Sequence, residues 1–192
     1  MKKILVTGAS GYIAKHCIAE LIYGGYNVKG TVRDLQKART VKNDLENHLN
    51  RKIEIDFAET TLDDTNGWDE AVEGCDAVMH VASPFPRRYI KNEDDLIIPA
   101  KEGTLNVLNA AKNAGIERII ITSSNAAISY GHGNKDNFDE KCWTNIDSDS
   151  ITAYTKSKTI AEKSAWDFVS KNSEIRLTVI NPVLVWGPGI GN

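Results

Sequence analysis

The chain has 192 residues, of which 41% are hydrophobic and 26% are charged, and its formal net charge is -3 at pH 7. A chain of this length and composition can bury one core, so we expect a single domain over residues 1–192 rather than a disordered chain. The acidic balance and the lack of a Lys/Arg block disfavour binding to nucleic acid or to an anionic membrane surface. We therefore expect a small-molecule partner.

The cysteines and the N-terminus bear on the cellular compartment. Cys17, Cys75 and Cys142 are widely spaced and odd in number, which indicates neither a disulfide framework nor a metal site. The apolar run after the basic residues 1–3 is too short for a signal peptide, and no apolar run reaches the length of a membrane span. We expect a cytoplasmic protein without a bound metal.

Short segments rich in Val and Ile alternate with longer segments that carry apolar residues at three- and four-residue spacing, which predicts strands alternating with helices. The predicted strands are 3–7, 27–32, 52–57, 76–81, 117–122 and 175–181. The predicted helices are 12–24, 35–49, 66–73, 94–114 and 152–172. This alternation predicts an α/β fold with a doubly wound, mostly parallel sheet and helices on both faces, the Rossmann arrangement. Only the polar stretch 129–151 is too long for an ordinary connection, which makes it a candidate functional loop.

The first predicted strand ends in a glycine-containing turn, T-G-A-S-G-Y-I-A over residues 7–14, immediately before the first predicted helix. Gly8 permits a tight turn, Gly11 lets the backbone approach a pyrophosphate, and Ala14 lets the helix pack close to the strand. The helix N-terminus adds N–H donors and a partial positive charge. Nucleotide binding is therefore favoured over a plain turn, although the spacing is G-x-x-G-x-x-A rather than the commoner G-x-G-x-x-G.

The end of the second predicted strand distinguishes NAD from NADP in such folds, because an acidic residue there binds the ribose 2′-hydroxyl and an arginine there binds a 2′-phosphate. This chain has Arg33 at that position, with Lys37 and Arg39 close behind. A guanidinium suits a phosphate through its fork of donors. NADP is thus favoured over NAD, and a surface ion pair between Arg33 and Asp34 is the alternative.

Tyr154 and Lys158 lie four residues apart early in the last predicted helix and so share one face of it. An ammonium beside a phenol stabilises the phenolate, which makes Tyr154 a workable general acid toward a carbonyl oxygen. Ser124 follows the fifth predicted strand and faces the same edge of the sheet as the glycine turn, where it is placed to hydrogen-bond the carbonyl. The alternatives are an ordinary helix-surface pair and a turn-forming serine.

Together with further stretches of the chain, these residues resemble the extended short-chain dehydrogenases/reductases over essentially the whole sequence. The resemblance is to the group of dihydroflavonol reductases, cinnamoyl-CoA reductases and yeast methylglyoxal/ketone reductases. The stretches are H-V-A-S-P at 80–84, I-T-S-S at 121–124, D-E-K-C-W at 139–143 and N-P-V-L-V-W-G-P at 181–188.

The resemblance implies a Ser-Tyr-Lys triad and an NADP(H) site. Tyr154 would donate the proton, Lys158 would also hold the nicotinamide ribose, and Ser124 would orient the carbonyl. The pyrophosphate cradle would comprise Gly8, Ala9, Ser10, Gly11, Tyr12 and Ile13, and the 2′-phosphate site Arg33 and Lys37. The ribose side of the cofactor would be lined by Val81, Ala82 and Ser83, and the nicotinamide would be flanked by Pro182 and Val185.

The sequence departs from the family pattern in three places. The family's Asp followed by an apolar residue near the adenine is replaced by E-T-T-L at 59–62, so D-F at 56–57 is a second candidate. Many members carry an active-site Asn shortly before the position of Gly103, but this sequence has Ala100 there. This reductase group often lacks that Asn as well. The family continues beyond the Pro-Gly turn into a smaller C-terminal lobe that forms much of the substrate pocket, and we expect this sequence to lack that lobe.

Three functions remain open from the sequence. The main expectation is NADPH-dependent reduction of an aldehyde or ketone, with a small-molecule carbonyl compound as the substrate. A homodimer is a possible oligomeric state. Nucleotide-sugar epimerases and dehydratases share the fold and the Tyr-Lys pair, but they usually have an acidic residue in place of Arg33 and a Tyr-Gly in place of A-A-I at 126–128. A non-catalytic NADP-binding module is the third, because cofactor binding does not ensure a substrate pocket.

Overall fold

The computed structural model describes residues 1–85, 91–134 and 136–191. Strands and helices alternate along this part of the chain. The strands are β1 (Lys3–Val6), β2 (Asn27–Val32), β3 (Asp56–Glu59), β4 (Ala77–His80), β5 (Arg118–Thr122) and β6 (Arg176–Ile180). The α-helices are α1 (Tyr12–Tyr23), α2 (Gln36–Leu49), α3 (Trp68–Val72), α4 (Asp94–Asn113) and α5 (Ala153–Ser170), and Asn125–Ala127 form a short 3₁₀ helix.

The six strands form one sheet in the order β3-β2-β1-β4-β5-β6, and every neighbouring pair is parallel. The prediction of a doubly wound parallel sheet is confirmed. The strand order reverses between β1 and β4, so the connections from these two strands leave in opposite directions. A crevice opens at their carboxyl ends, which is where ligands bind in open α/β sheets.

The two faces of the sheet bury two separate cores, and β1 shows how the sequence builds both. Successive strand residues point to opposite faces. Leu5 packs with residues of α3, α4 and α5, whereas Ile4 and Val6 pack with residues of α1 and α2. Burial of each such side chain contributes about 1.5–3 kcal/mol, so the near-continuous apolar run of β1 stabilises both layers at once.

Strand β3 begins later than the sequence predicts. The predicted strand 52–57 overlaps β3 only at its end, because the first ladder pair joins Lys29 to Asp56. Ile53 is buried against the core of α1 and α2, but its N–H donates to Glu46 Oε1 on α2 at 3.3 Å instead of to a strand. The apolar pattern of this segment therefore reflects burial and not strand pairing.

The candidate loop 129–151 has neither helix nor strand in its described part, which leaves out residue 135. It folds back on the 3₁₀ helix through the side chain and backbone of one residue, Thr144. Thr144 Oγ1 donates to Ala126 O at 2.8 Å and accepts from Tyr130 N at 3.0 Å, while Thr144 N donates to Ala127 O at 2.9 Å. The loop thereby supports the segment that follows β5. None of the helices in the described part of the chain combines the length and apolar character needed to cross a membrane.

The packing of β2 under the glycine turn predicts a destabilised variant. A Cβ at Gly30 would lie 2.8 Å from Ala9 Cβ and 3.2 Å from the ring of Phe57. Gly30→Ala should therefore lower the free energy of unfolding by about 1–3 kcal/mol, as measured by urea denaturation. Gly189→Ala is the control, since its nearest neighbour would be an ordinary 3.6 Å contact. Equal stability of the two variants would contradict this packing.

Candidate active site

The glycine turn joins β1 to α1 and approaches the segment after β4 closely. Gly8 has a φ of +68°, and a Cβ there would lie 3.0 Å from Ala82 Cβ. Gly11 is the N-cap of α1, and a Cβ there would lie 3.1 Å from Gly8 O. Both glycines are required by the turn itself, since Gly8 is in the left-handed region and both positions lack room for a side chain.

The amides of the turn divide into two sets. Ala9 is fully buried and its N–H donates to Thr31 O at 2.7 Å, and Gly11 N donates to Gly8 O at 2.8 Å. No hydrogen bond within the described residues occupies the amides of Ser10, Tyr12 or Ile13. Free N–H groups at the start of a helix form a site for an anion. Ala9 thus fixes the turn, and the amides of the other three residues are left for a ligand.

A buried threonine and histidine tie the turn to the opposite side of the crevice. Thr7 Oγ1 accepts the N–H groups of Val81 and Ala82, each at 3.0 Å, and lies 2.9 Å from His80 Nδ1. Burial, together with the charge of Lys158, lowers the pKa of His80 to about 3, so the imidazole is neutral. The Thr7 hydroxyl, which already accepts twice, therefore donates its hydrogen to Nδ1.

A pocket of about 170 Å³ opens at the carboxyl ends of the strands beside this turn. It contains all three predicted catalytic residues, Ser124, Tyr154 and Lys158. The predicted cofactor residues in its lining are Ile13, Val81, Ser83, Pro182 and Val185. Residues that the sequence argument did not select also line it, namely Pro84, Phe85, Thr122, Ser123 and Val183.

Helix α5 presents Tyr154 and Lys158 to the pocket on its first turns. Thr152 caps the helix by accepting Thr155 N at 3.2 Å, which fixes where α5 begins. Lys158 Nζ lies 6.0 Å from the centroid of the Tyr154 ring and donates to Thr122 O at 3.4 Å. The rings of Phe85 and Tyr154 are in a T-shaped arrangement with a centroid distance of 5.4 Å. The phenol is thus held between a cation and an aromatic wall.

The environment of Lys158 lowers its proton affinity. Burial lowers the pKa of this lysine to about 8, and the carboxylate of Glu162, one helical turn further along α5, opposes the shift. Near neutral pH the Lys158 side chain is therefore a charged ammonium, but it loses its proton after only a small rise in pH. A perturbed lysine beside a tyrosine in a cleft is typical of a functional site.

Ser124 is held in a defined orientation by the backbone. Its Oγ accepts Ala126 N at 3.1 Å as the N-cap of the 3₁₀ helix. The hydroxyl hydrogen remains available to a ligand in the pocket. Its carbonyl accepts Asn181 Nδ2 at 3.2 Å, and Asn125 N donates to Pro182 O at 2.9 Å, so Ser124 is also tied to the segment after β6.

Arg33 directly follows β2 and Lys37 lies in the first turn of α2, and both are exposed and outside the pocket. Within the described part of the chain, no ion pair joins Arg33 to Asp34, whose Oδ1 accepts Gln36 N at 2.8 Å. Glu59, at the end of β3, accepts Leu35 N through Oε2 at 3.0 Å. The carboxylate of Glu59 therefore caps the start of α2, while the guanidinium of Arg33 faces solvent.

The segment after β6 returns across α1 and places Pro182 and Val185 over the pocket. Lys15 Nζ donates to Ile190 O at 2.9 Å and pairs with Asp44 at 2.6 Å, and Ile190 is buried. These contacts fix the path of the Pro-Gly turn that the sequence singles out. Among the residues described here, no group of three or more His, Cys, Asp or Glu side chains could hold a metal ion.

The strand order, the glycine turn at the β1–β4 crevice and the helices on both faces define a Rossmann-type α/β domain. Residues 4–192 match the NAD dependent epimerase/dehydratase family, and the chain belongs to that family. These are the extended short-chain dehydrogenases/reductases that the sequence motifs predict.

The chain is similar to several reductases. It is 39% identical to cinnamoyl-CoA reductase CAD2 of Medicago truncatula, covering 96% of this chain and 58% of the relative. It is 33% identical to dihydroflavonol 4-reductase of Dianthus caryophyllus, covering 97% and 53%. The crystal structure of yeast methylglyoxal/isovaleraldehyde reductase Gre2 complexed with NADPH is similar with a TM-score of 0.86 at 30% identity, covering 98% of this chain and 59% of that one. The chain therefore spans between half and three fifths of the length of these relatives.

The neutral buried His80 predicts a specific acid sensitivity. The unfolded chain binds a proton at this histidine below its ordinary pKa of 6.5, whereas the folded chain binds it only near 3. The free energy of unfolding should therefore fall as the pH is lowered through this window, by up to several kcal/mol. His80→Asn, which keeps an acceptor for Thr7, should lose less stability between pH 6.5 and pH 4 in urea denaturation than the wild type.

The matched control for this experiment is His48→Asn, which removes an exposed histidine. Its acid sensitivity should equal that of the wild type. A His80→Asn variant with the same acid sensitivity as the wild type would contradict the assignment of His80 as a buried neutral group.

Proposed function

We propose that the protein reduces an aldehyde or ketone to an alcohol with NADPH as the hydride donor, by a Ser-Tyr-Lys mechanism. The observation that supports this most strongly is the convergence of Ser124, Tyr154 and Lys158 on one pocket beside the glycine turn. A proton donor, a cation and a hydroxyl at the carboxyl ends of parallel strands are the groups that carbonyl reduction requires.

The unoccupied amides of the glycine turn fit a dinucleotide pyrophosphate. Ser10, Tyr12 and Ile13 present free N–H groups at the positive end of α1, and Gly8 and Gly11 keep side chains out of their way. Val81, Ala82 and Ser83 would line the ribose, and Thr7 holds the backbone N–H groups of Val81 and Ala82. Pro182 and Val185 would flank the nicotinamide from the other wall.

Arg33 and Lys37 favour NADPH over NADH. Arg33 directly follows β2, where dinucleotide folds recognise the adenosine ribose, and its exposed side chain has no ion pair within the described residues. A guanidinium and an ammonium would bind the 2′-phosphate, which NADH lacks. Relatives support the same choice, since Gre2 of yeast and of Candida albicans were both crystallised with NADPH.

The protein groups would share the chemistry as follows. NADPH, when bound, would supply the hydride. Tyr154 donates its phenolic proton to the developing alkoxide, and the Lys158 ammonium stabilises the phenolate that remains. Ala126 N donates to Ser124 Oγ and so orients the serine hydroxyl. Ser124 then donates a hydrogen bond to the substrate carbonyl oxygen, which fixes the position of that oxygen relative to Tyr154.

Two alternatives carry less support. The family includes epimerases and dehydratases, but the match to UDP-glucose 4-epimerase of Bifidobacterium longum is only 20% identical and shows the fold alone. Arg33 and the A-A-I stretch 126–128 both depart from the epimerase pattern. A non-catalytic NADP-binding module has no physical need for a proton donor beside the nicotinamide, so the placement of Tyr154 in the pocket favours an enzyme.

The mechanism predicts that Tyr154→Phe separates catalysis from binding. The variant keeps the aromatic contact with Phe85 but lacks the proton, so kcat for reduction of a small aldehyde should fall by about 10²–10⁴-fold. The Kd for NADPH, measured by fluorescence titration, should stay close to that of the wild type. Tyr130→Phe, which alters a tyrosine on the loop outside the pocket, is the matched control.

Unchanged turnover in Tyr154→Phe would contradict the proton-donor role. Tight NADPH binding by a wild-type chain that reduces no aldehyde or ketone would favour the binding-module alternative instead.

A further inference from the structure

We propose that Glu162 is a positioning residue of this site, whose buried carboxylate keeps the Lys158 ammonium charged and holds Ser124 in place through Asn181. The inference rests on the proposed function and assigns a role to a residue that the Ser-Tyr-Lys mechanism does not use. Glu162 would touch neither substrate nor cofactor. It acts on two of the three catalytic residues, Lys158 and Ser124, from behind the pocket.

Glu162 lies one helical turn after Lys158 on α5, and only 7% of its surface is exposed. Residues four apart share one face of a helix. Its carboxylate accepts Asn181 Nδ2 at 2.7 Å and Trp166 Nε1 at 3.3 Å, and both donors are neutral. None of the ion pairs within the described residues includes Glu162. A buried carboxylate without a paired cation is costly, which points to a cation nearby in the interior.

A small, partly open cavity adjoins both charged groups. Glu162 and Lys158 both line it, and Ser123, Thr104 and His80 supply further polar walls. The hydroxyl oxygen of Ser123 is buried without a hydrogen-bond partner among the described residues. The cavity has a volume of about 10 Å³, the lower limit for one water molecule. Lys158 and Glu162 therefore share the wall of one small polar cavity.

The charges around Lys158 single out Glu162. The titratable groups that face the lysine in the described residues are His80 from β4 and Tyr154 and Glu162 from α5, while β5 offers the carbonyl of Thr122. His80 is neutral, because burial lowers its pKa to about 3. Glu162 is therefore the negative charge that opposes the effect of burial on Lys158, whose pKa is lowered to about 8. Without that charge the lysine would lose its proton at a lower pH.

The second connection runs through Asn181 to the catalytic serine. Asn181 Nδ2 donates to Glu162 Oε2 at 2.7 Å and to Ser124 O at 3.2 Å. Ser123 N donates to Ile180 O at 2.8 Å, so the ends of β5 and β6 are already joined beside this amide. The carboxylate anchors Asn181 in the orientation that serves Ser124. One buried acid thus sets both the charge of the lysine and the position of the serine.

The direct test titrates the Lys158 side chain by NMR in the 192-residue chain, with the lysine ¹³Cε signal assigned through Lys158→Arg. Glu162→Gln removes the charge but keeps an acceptor for Asn181. Its Lys158 midpoint should lie below the wild-type value, and Asp167→Asn, an exposed acid on the same helix, should leave the midpoint unchanged. Glu162→Asp keeps the negative charge but moves it further from Lys158. Its Lys158 midpoint should lie between those of Glu162→Gln and the wild type.

An unchanged Lys158 midpoint in Glu162→Gln would overturn the proposal. If that variant does not fold, the Glu162→Asp titration decides, since a midpoint equal to the wild type would overturn it as well. Because this readout needs no substrate, a lowered midpoint in a chain that reduces no carbonyl would support the role of Glu162 and contradict only the proposed reaction.

The pH profile of reduction tests both connections of Glu162 at once. The alkaline limb of kcat/KM should move to lower pH in Glu162→Gln and return toward the wild type in Glu162→Asp. Asn181→Ala should lower kcat without moving that limb, because it disturbs Ser124 and leaves the charge. A uniform loss of activity in every variant, with no movement of the limb, would mean that Glu162 is only structural.

Discussion

The close approach of Gly8 to Ala82, at the point where the strand order reverses, is the contact on which the rest of the site depends. A Cβ at Gly8 would lie 3.0 Å from that of Ala82, and Thr7 holds the two segments together with hydrogen bonds to Val81 and Ala82. If β1 and β4 were further apart at their carboxyl ends, the free amides of α1 and the pocket would not share one crevice. The strand order of the sheet determines where the crevice opens, and the missing side chain of Gly8 lets its two sides approach each other closely.

The interior of the site contains several buried polar groups, and these groups depend on one another. His80 is neutral and accepts a hydrogen bond from the Thr7 hydroxyl, so it adds no charge that would repel Lys158. The lysine keeps its proton near neutral pH in spite of its burial, because the carboxylate of Glu162 opposes the lowering of its pKa by burial. Buried networks of this kind are stabilising only when every member has a partner. Tyr154 and Ser124 line the pocket beside this network.

Local patterns in the sequence predicted the elements and most of the pocket, and the reasons for their failures are physical. Spacing of four residues on a helix places Tyr154 and Lys158 together whatever the rest of the fold does, so that pair was accessible from sequence. The beginning of β3 was not, because an apolar pattern reports burial and Ile53 is buried without pairing. The tie between Thr7 and His80 spans 73 positions, and no local pattern marks it. Glu162 did carry a local signal, an acid four residues after Lys158, but its link to Asn181 appears only in three dimensions.

The affinity of the chain for NADPH and NADH, in wild type and in Arg33→Ala, tests the central claim most directly. We expect the wild type to bind NADPH more tightly than NADH, and Arg33→Ala to lose about tenfold to a hundredfold in NADPH affinity while its NADH affinity stays the same. Arg118→Ala, which removes an exposed arginine at the opposite end of the sheet, should bind both nucleotides like the wild type. Equal affinity of the wild type for the two nucleotides would contradict the role of Arg33, and binding of neither would contradict the nucleotide site itself.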